Sequence, residues 1–364
     1  MKKIILLSAT MAASACAHAS GMERTNQGLA PLFEKGRSLS VEAYTSRPNL
    51  QGTDALRQST GSVAPSYTQW GFAYKQDLNP QTAVLLTLSR PFGLDIDYDR
   101  QQSPVFGGTQ AKVRTLELLG ALHYQWSEHW GVHGGLRLQR SEGHVALGGA
   151  AFGPLQGYRV DFQPSTEPGY LLGLSYAQPD LGLRITGTYY SEIKHRVRTT
   201  ENVLPGVTTH TPSMSPESFT LDLQTGITPN TLLFGQVRWT HWAQFQLSPQ
   251  AFAAATRGGS LTDVGNSTTY TVGMGHRLNA QWSGFVAVAY NQKTHQTPLS
   301  PLQPSTGRVG YTLGVSYQGN SIKITPWVSY QRLGGTEISS TSTPMARMED
   351  GHATAFGVKL GYSF

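Results

Sequence analysis

The last twelve residues, 353–364, read ATAFGVKLGYSF and constrain this chain more than any other stretch. Counting back in twos gives Phe364, Tyr362, Leu360, Val358 and Phe356; between them lie Ser363, Gly361, Lys359, Gly357 and Ala355. That is the period of a β-strand, with large apolar groups on one face and small or polar groups on the other. A soluble sheet could carry the same pattern. Two features favour a lipid-facing strand: the final residue is aromatic, and the chain opens with a secretory layout. In MKKIILLSATMAASACAHA, Lys2 and Lys3 form the basic end, Ile4 to Ala15 the apolar stretch, and Ala17-His18-Ala19 a small-x-small cleavage site. Cleavage is expected before Ser20, removing residues 1–19. The apolar run is well short of the ~20 residues a spanning helix needs. A lipoprotein reading through Cys16 meets Ala13 where leucine is usual.

Cys16 is the only cysteine, so the processed chain is expected to carry none. Disulfides, thiolate metal sites and cysteine nucleophiles are thereby set aside. Without the two signal lysines there are 26 basic against 22 acidic residues, a mild excess with no Lys/Arg stripe for nucleic acid. No segment has the length and apolarity of a transmembrane helix. Barrel strands, however, span a bilayer in ~9–11 residues, and alternation dilutes their hydropathy. The 40 glycines, 16 tyrosines and 7 tryptophans suit tight turns, close-packed strands and aromatic girdles.

Fourteen alternating segments follow, at 38–46, 67–77, 81–91, 111–126, 130–142, 167–178, 182–198, 217–228, 231–246, 268–278, 281–293, 307–318, 321–333 and 353–364. The clearest outward faces are Leu116, Leu118, Leu122, Tyr124, Trp126, then Tyr170, Leu172, Leu174, Tyr176, then Tyr311, Leu313, Val315, Tyr317. Connections alternate between tight links, such as Asp77-Leu78-Asn79-Pro80, and long loops near 47–66, 92–110, 143–166, 199–216, 247–267, 294–306 and 334–352. Asn, Asp, Pro and Gly explain the short set. Short periplasmic turns against long extracellular loops is the asymmetry of an outer-membrane barrel. The expected fold is therefore all-β: a transmembrane antiparallel up-and-down β-barrel of fourteen strands over 38–364, both termini periplasmic. Residues 20–37 precede it as a short N-terminal segment, inside or beneath the barrel. Most prolines fall in loops; Pro326 is mid-strand and predicts a local break in pairing.

Four stretches carry a family resemblance: Gly21-Met22-Glu23-Arg24-Thr25-Asn26-Gln27 running on to Leu32-Phe33-Glu34; Tyr190-Ser191-Glu192-Ile193-Lys194; Pro216-Glu217-Ser218-Phe219; and Thr240-His241-Trp242-Ala243-Gln244-Phe245-Gln246. In order and spacing the chain resembles the FadL family of outer-membrane transporters for long-chain fatty acids and other hydrophobic molecules. The resemblance covers most of the chain after the signal and implies a fourteen-stranded barrel. The closing strand also resembles the terminal strand of bacterial outer-membrane β-barrels, which implies that Phe364 serves the outer-membrane assembly machinery. One departure stands out: the family's hatch of about forty residues with an Asn-Pro-Ala motif is replaced here by a segment of fewer than twenty. A reduced hatch is the expectation.

Strand parity places Arg137, Arg184, Lys194, Arg196, Arg238, Arg277, Lys323 and Lys359 toward the lumen, against Glu42, Glu117, Glu192 and Asp222. Such a basic excess would attract an anionic headgroup, although internal ion pairing explains the same residues. Glu192, Lys194 and Arg196 share one face of one strand and predict at least a local ion-pair ladder. The 143–166 loop is unusually apolar, with Val145, Leu147, Phe152, Leu155 and Tyr158, and 248–257 reads as a short amphipathic helix. Exposed apolar groups of this kind mark ligand capture or, alternatively, loops packed over the barrel mouth. Trp242 is expected to point inward near the outer rim, with Trp239 and His241 facing lipid. The candidate ligand contacts are Phe152, Leu155, Tyr158, Glu192, Lys194, Arg196, Arg238, Trp242 and Phe245. His123 and His133 flank a tight link symmetrically and would face each other, but lack an evident third metal ligand. No Gly-x-Ser-x-Gly elbow, phosphate loop or zincin helix occurs.

These readings converge on passive uptake of a hydrophobic small molecule, a long-chain fatty acid or an aromatic hydrocarbon, across the outer membrane. No cofactor, metal, catalysis or nucleic-acid partner is expected. The expected surroundings are outer-membrane lipid and lipopolysaccharide, with the chain a monomer. The alternatives are a general diffusion porin and a lipid-modifying barrel hydrolase.

Overall fold

The computed structural model describes residues 22–25, 27–293, 299–340 and 343–364; the export signal and its cleavage point lie outside them. Fourteen strands form one closed sheet: β1 (Ser38–Asn49), β2 (Tyr67–Asn79), β3 (Thr82–Ser89, continued by Gly93–Asp97), β4 (Gln110–Gln125), β5 (Trp130–Ala146), β6 (Arg159–Gln178), β7 (Leu183–Tyr190 with Ile193–Glu201), β8 (Thr208–Ser215 with Ser218–Thr228), β9 (Thr231–Thr240), β10 (Ser267–Arg277), β11 (Trp282–Asn291), β12 (Arg308–Gln318), β13 (Ile322–Leu333) and β14 (Gly351–Ser363). Each pairs antiparallel with the next, and β14 returns to β1 with Phe356 opposite Thr45. Closure leaves no free edge, which is what a bilayer demands of a sheet.

The alternation read from the chain is the alternation of the wall. Leu118, Leu172, Val272 and Leu313 are exposed on the lipid face, while Glu117, Thr271 and Thr312 beside them are buried inside. Upper aromatics run around the outside of β10–β13, where Tyr270 pairs with Tyr290 and Tyr311 with Tyr330. Trp126, Trp130, Trp282 and Tyr362 mark the lower rim by the tight turns. The Phe364 ring stacks edge-on with Tyr362 at 4.8 Å and lies 4.2 Å from the Arg37 guanidinium, an amphipathic setting suited to the interface.

Several boundaries move. The β5–β6 hairpin runs to Ala146 and Arg159, so its loop is shorter than 143–166. β9 stops at Thr240, not 246, because Trp242–Gln244 turns into a single 3-10 turn. The short helix is present as Gln250–Ala255, with the backbone N–H of Ala251 and Phe252 donating to the Glu201 carboxylate. Pro326 interrupts the β12–β13 ladder, which lapses between Gly314↔Trp327 and Tyr317↔Ile324. Pro48, Pro164 and Pro212, expected in loops, also lie within strands.

The greasy loops pack on one another. Tyr98, Phe106, Leu147, Tyr158, Phe252 and Ile338 are buried in one cluster over the mouth, and a small sheet of Gly52–Asp54, Thr336–Ile338 and Ala346–Met348 ties the loops together. The segment after residue 21 runs inside the barrel. Leu29 and Leu32 pack against Leu85 of β3, Leu119 of β4 and Leu171 of β6, so it fills one side of the lumen.

Candidate functional site

The site begins where β3 breaks. Pro91 has no N–H to give a ladder, and after Ser89 the strand leaves β2 while still pairing with β4 from Gly93 onward. The freed backbone groups are taken by the N-terminal segment: Arg24 N–H donates to Pro91 O at 2.8 Å, and Gly93 N–H donates to Met22 O at 2.8 Å. Glu23 is thereby carried inside the barrel against β9, 2% exposed, where Thr240 Oγ1 donates to its carboxylate at 2.8 Å and Arg238 Nε lies 3.4 Å away. Arg238 also donates to Thr220 Oγ1 and stands 5.5 Å from the Tyr190 ring. Arg137, 5.3 Å from the same ring, pairs with Glu117 at 2.9 Å. Tyr190 Oη in turn donates to Gln27 O at 2.6 Å. Tyr44 Oη donates to Arg24 O at 2.5 Å, and the Arg24 guanidinium stacks 3.7 Å over Tyr67.

Two cavities flank this latch. The smaller, about 40 Å³, is lined by Phe92, Phe162, Val197, Met214, Trp242 and Phe245. Trp242 is inward as expected and 1% exposed, edge-on to Phe92 at 5.5 Å and to Phe245 at 5.7 Å. The larger, about 140 Å³, lies under the loops between the latch and β11–β14, with Leu50, Leu94, Ile96, Val264, Leu302 and Leu333 in its wall. Into this space, which Glu23, Asp95 and Asp263 also line, β12 delivers Arg308. Its Nη1 donates to Gln331 Oε1 at 3.3 Å; its Nη2 is buried and has no hydrogen-bond partner among the described residues.

The sequence-predicted residues separate into three groups. Arg238, Trp242 and Phe245 meet around the latch and the smaller cavity. Phe152, Leu155 and Tyr158 belong to the loop cap instead: Phe152 meets Phe106 at 6.2 Å, and Tyr158 donates to Glu201 Oε2 at 2.8 Å. Burial and that hydrogen bond hold the Tyr158 phenol protonated, far above its ordinary range. The lumenal placement of Glu192, Lys194 and Arg196 is corrected. β7 is interrupted at Ser191-Glu192, and one residue of slip turns the following side chains to the opposite face. His195 and Val197 therefore point inward, while Lys194, 74% exposed, pairs with Glu192 at 2.8 Å on the outer wall, with Arg196 exposed beside it.

Arg308, Glu23, Arg24 and Phe92 were not singled out from sequence. Arg308 was within reach, because it shares parity with Gly310, Thr312 and Ser316 on a strand whose odd positions are plainly outward. The histidines meet as register partners, but each is occupied: His123 Nε2 lies 3.0 Å from Ser175 Oγ, His133 Nε2 lies 2.9 Å from Thr188 Oγ1, and the Phe33 ring caps both.

A closed fourteen-stranded barrel with girdled outer wall, loop-roofed apolar cavities and an internal N-terminal segment defines an outer-membrane channel for hydrophobic molecules. Residues 38–364 match the family described as outer membrane protein transport protein (OMPP1/FadL/TodX), and the chain belongs to it. Among solved structures it is similar to a FadL homologue of Pseudomonas aeruginosa, with a TM-score of 0.72, 16% identity and 92% of each chain covered. It is also similar to the toluene transporter TodX of Pseudomonas putida, with a TM-score of 0.67, 12% identity and coverage of 96% of this chain and 97% of that one. The Ralstonia pickettii toluene transporter TbuX follows the same fold, with a TM-score of 0.62, 16% identity and coverage of 92% and 91%. No curated protein matches the sequence.

Proposed function

We propose that the molecule taken up through this channel is a hydrophobic carboxylic acid with a body of about one aromatic ring. The observation that carries the reading is the Nη2 of Arg308, unpartnered among the described residues, in a cavity whose wall combines Leu50, Leu94, Ile96 and Leu302 with the carboxylates Glu23, Asp95 and Asp263. A buried guanidinium nitrogen without an acceptor is costly, and a carboxylate is the acceptor its fork fits best. Arg24 lines the same cavity. Size points the same way: at about 140 Å³ the space is close to the ~150 Å³ engineered cavity that binds benzene. Two of the structural relatives are toluene transporters by description, which fits a one-ring body while leaving the acid group to this chain's Arg308.

Binding to the purified barrel tests the assignment, with p-toluate and toluene as probes. Arg308→Gln should weaken p-toluate at least tenfold, about 1.4 kcal/mol, and leave toluene within twofold. Equal weakening of both, or of neither, overturns the acid assignment.

A further inference from the structure

The outer face of the closing strand changes character near its top. Above Leu360 and Phe356 its outward positions are Thr354 and His352, both exposed. His352 faces Arg332 on β13 and Asn49 on β1 in direct register, and Arg47 stands one outward step below Asn49, diagonal to His352. Direct partners hold their Cβ atoms about 4.5–5.5 Å apart and diagonal ones about 7–8 Å, so Arg332, His352 and Arg47 form one patch across the seam where β14 meets β1. All three side chains are exposed. The Tyr330 ring stacks on the His352 imidazole, with 6.1 Å between centroids and 20° between planes.

The height of the patch is set by that ring. Tyr330 belongs to the upper aromatics, and such rings sit at headgroup level in a bilayer. Arg332 is the next outward residue along β13, ~6.6 Å further up, which puts the patch among the charged headgroups of the outer leaflet. Below it the wall is apolar: Phe356 faces Val328, Leu360 faces Val41, and all four are exposed.

The patch also lacks its counter-charge. Neither Arg47 nor Arg332 joins an ion pair among the described residues, whereas Lys194 and Arg140, elsewhere on the outer wall, are answered by Glu192 and Glu142. The carboxylates nearest in sequence, Glu349 and Asp350, belong to the loop above, where Asp350 accepts the Gly335 N–H at 2.8 Å. Two guanidiniums and an imidazole are thus left facing the headgroup layer together.

We infer that this patch is a binding site for a phosphate of lipopolysaccharide, the phosphorylated glycolipid of the outer leaflet, whose acyl chains lie along Val328, Phe356, Leu360 and Val41. The guanidinium fork fits phosphate oxygens, and here donors converge from three neighbouring strands. A lipid seated on them bridges the first and last strands of the barrel. Because it binds the closed barrel and not the unfolded chain, it stabilises the closed form. The site lies outside the wall and is independent of the ligand cavities within.

Titration of the purified barrel in detergent with bis-phosphorylated lipid A, followed by native mass spectrometry, tests the site. Arg47→Gln with Arg332→Gln should weaken lipid A binding by about tenfold or more. Arg57→Gln with Arg257→Gln, which removes the same charge from exposed loop positions, should leave it within about twofold. Lipid A stripped of its phosphates should bind the native barrel as weakly as the phosphorylated form binds the Arg47/Arg332 variant, and millimolar inorganic phosphate should not displace the lipid. The temperature of the heat-modifiable gel shift should rise with lipid A for the native barrel and stay constant for the variant. The same gel confirms folding; should the double variant fail it, Arg47→Gln and Arg332→Gln are used singly, each with a severalfold loss expected. Binding unchanged in these variants, equal binding of the two lipid A forms, or an equal loss in the loop control overturns the site. Displacement by inorganic phosphate would overturn lipid as its occupant.

Discussion

Replacing Arg238 with methionine strips the Glu23 carboxylate of the cation that pairs with it among the described residues. Both side chains are about 1% exposed, and Arg238 Nε lies 3.4 Å from Glu23 Oε1, leaving Thr240 as the carboxylate's donor. Breaking a buried pair by removing one partner costs about 3–5 kcal/mol, mostly as the stranded charge. That cost falls on docking of the N-terminal segment, because undocking returns Glu23 to water. At ~1.4 kcal/mol per decade, the undocked population should rise roughly 10²- to 10³-fold. The Gly93 amide reports it directly, since its hydrogen bond goes to Met22 O. Hydrogen–deuterium exchange of the barrel in detergent should show faster exchange at Gly93 and across 22–33, with strands such as β12 unchanged. Adding Glu23→Gln to Arg238→Met removes the charge as well and should restore most of the protection. Exchange in the double variant as fast as in the single one would refute the ion pair as the latch.

Two further outcomes follow from the wall. Phe364→Ser should lower the amount of folded protein in the outer membrane far more than Lys359→Ser, read on a heat-modifiable gel, because Phe364 faces the interface beside Arg37 and Lys359 lines a cavity inside the barrel at its periplasmic end. Lys194→Ala and Arg196→Ala should leave p-toluate binding within twofold in the same binding assay, since both residues lie on the outer wall.

Much of the barrel was legible because a membrane wall repeats one rule, apolar out and small or polar in, on every strand. Leu118, Leu172 and Leu313 obeyed it, and the Asn- and Pro-bearing turns set the ends. The rule fails where pairing breaks. At Ser191-Glu192 a single interruption reversed the faces of Lys194 and Arg196, and nothing in the local composition announces it. The N-terminal segment was harder still. Its path is set by the hydrogen bonds that Pro91 and Gly93 lose when β3 turns inward, a vacancy created by the fold and not by its own residues. Arg308 followed the parity rule but stood at the start of a strand, where it reads as one more polar residue. Its importance comes from Gln331 taking Nη1 and no described residue taking Nη2.

The central claim is that this barrel carries hydrophobic molecules inward across the outer membrane. Uptake of radiolabelled p-toluate by cells lacking the protein, with and without its restoration, tests this most directly, alongside a hydrophilic sugar of similar mass. The account predicts faster p-toluate entry on restoration, reduced again by Arg308→Gln, with sugar entry unchanged. Equal stimulation of both solutes would make the barrel a general pore and contradict the account.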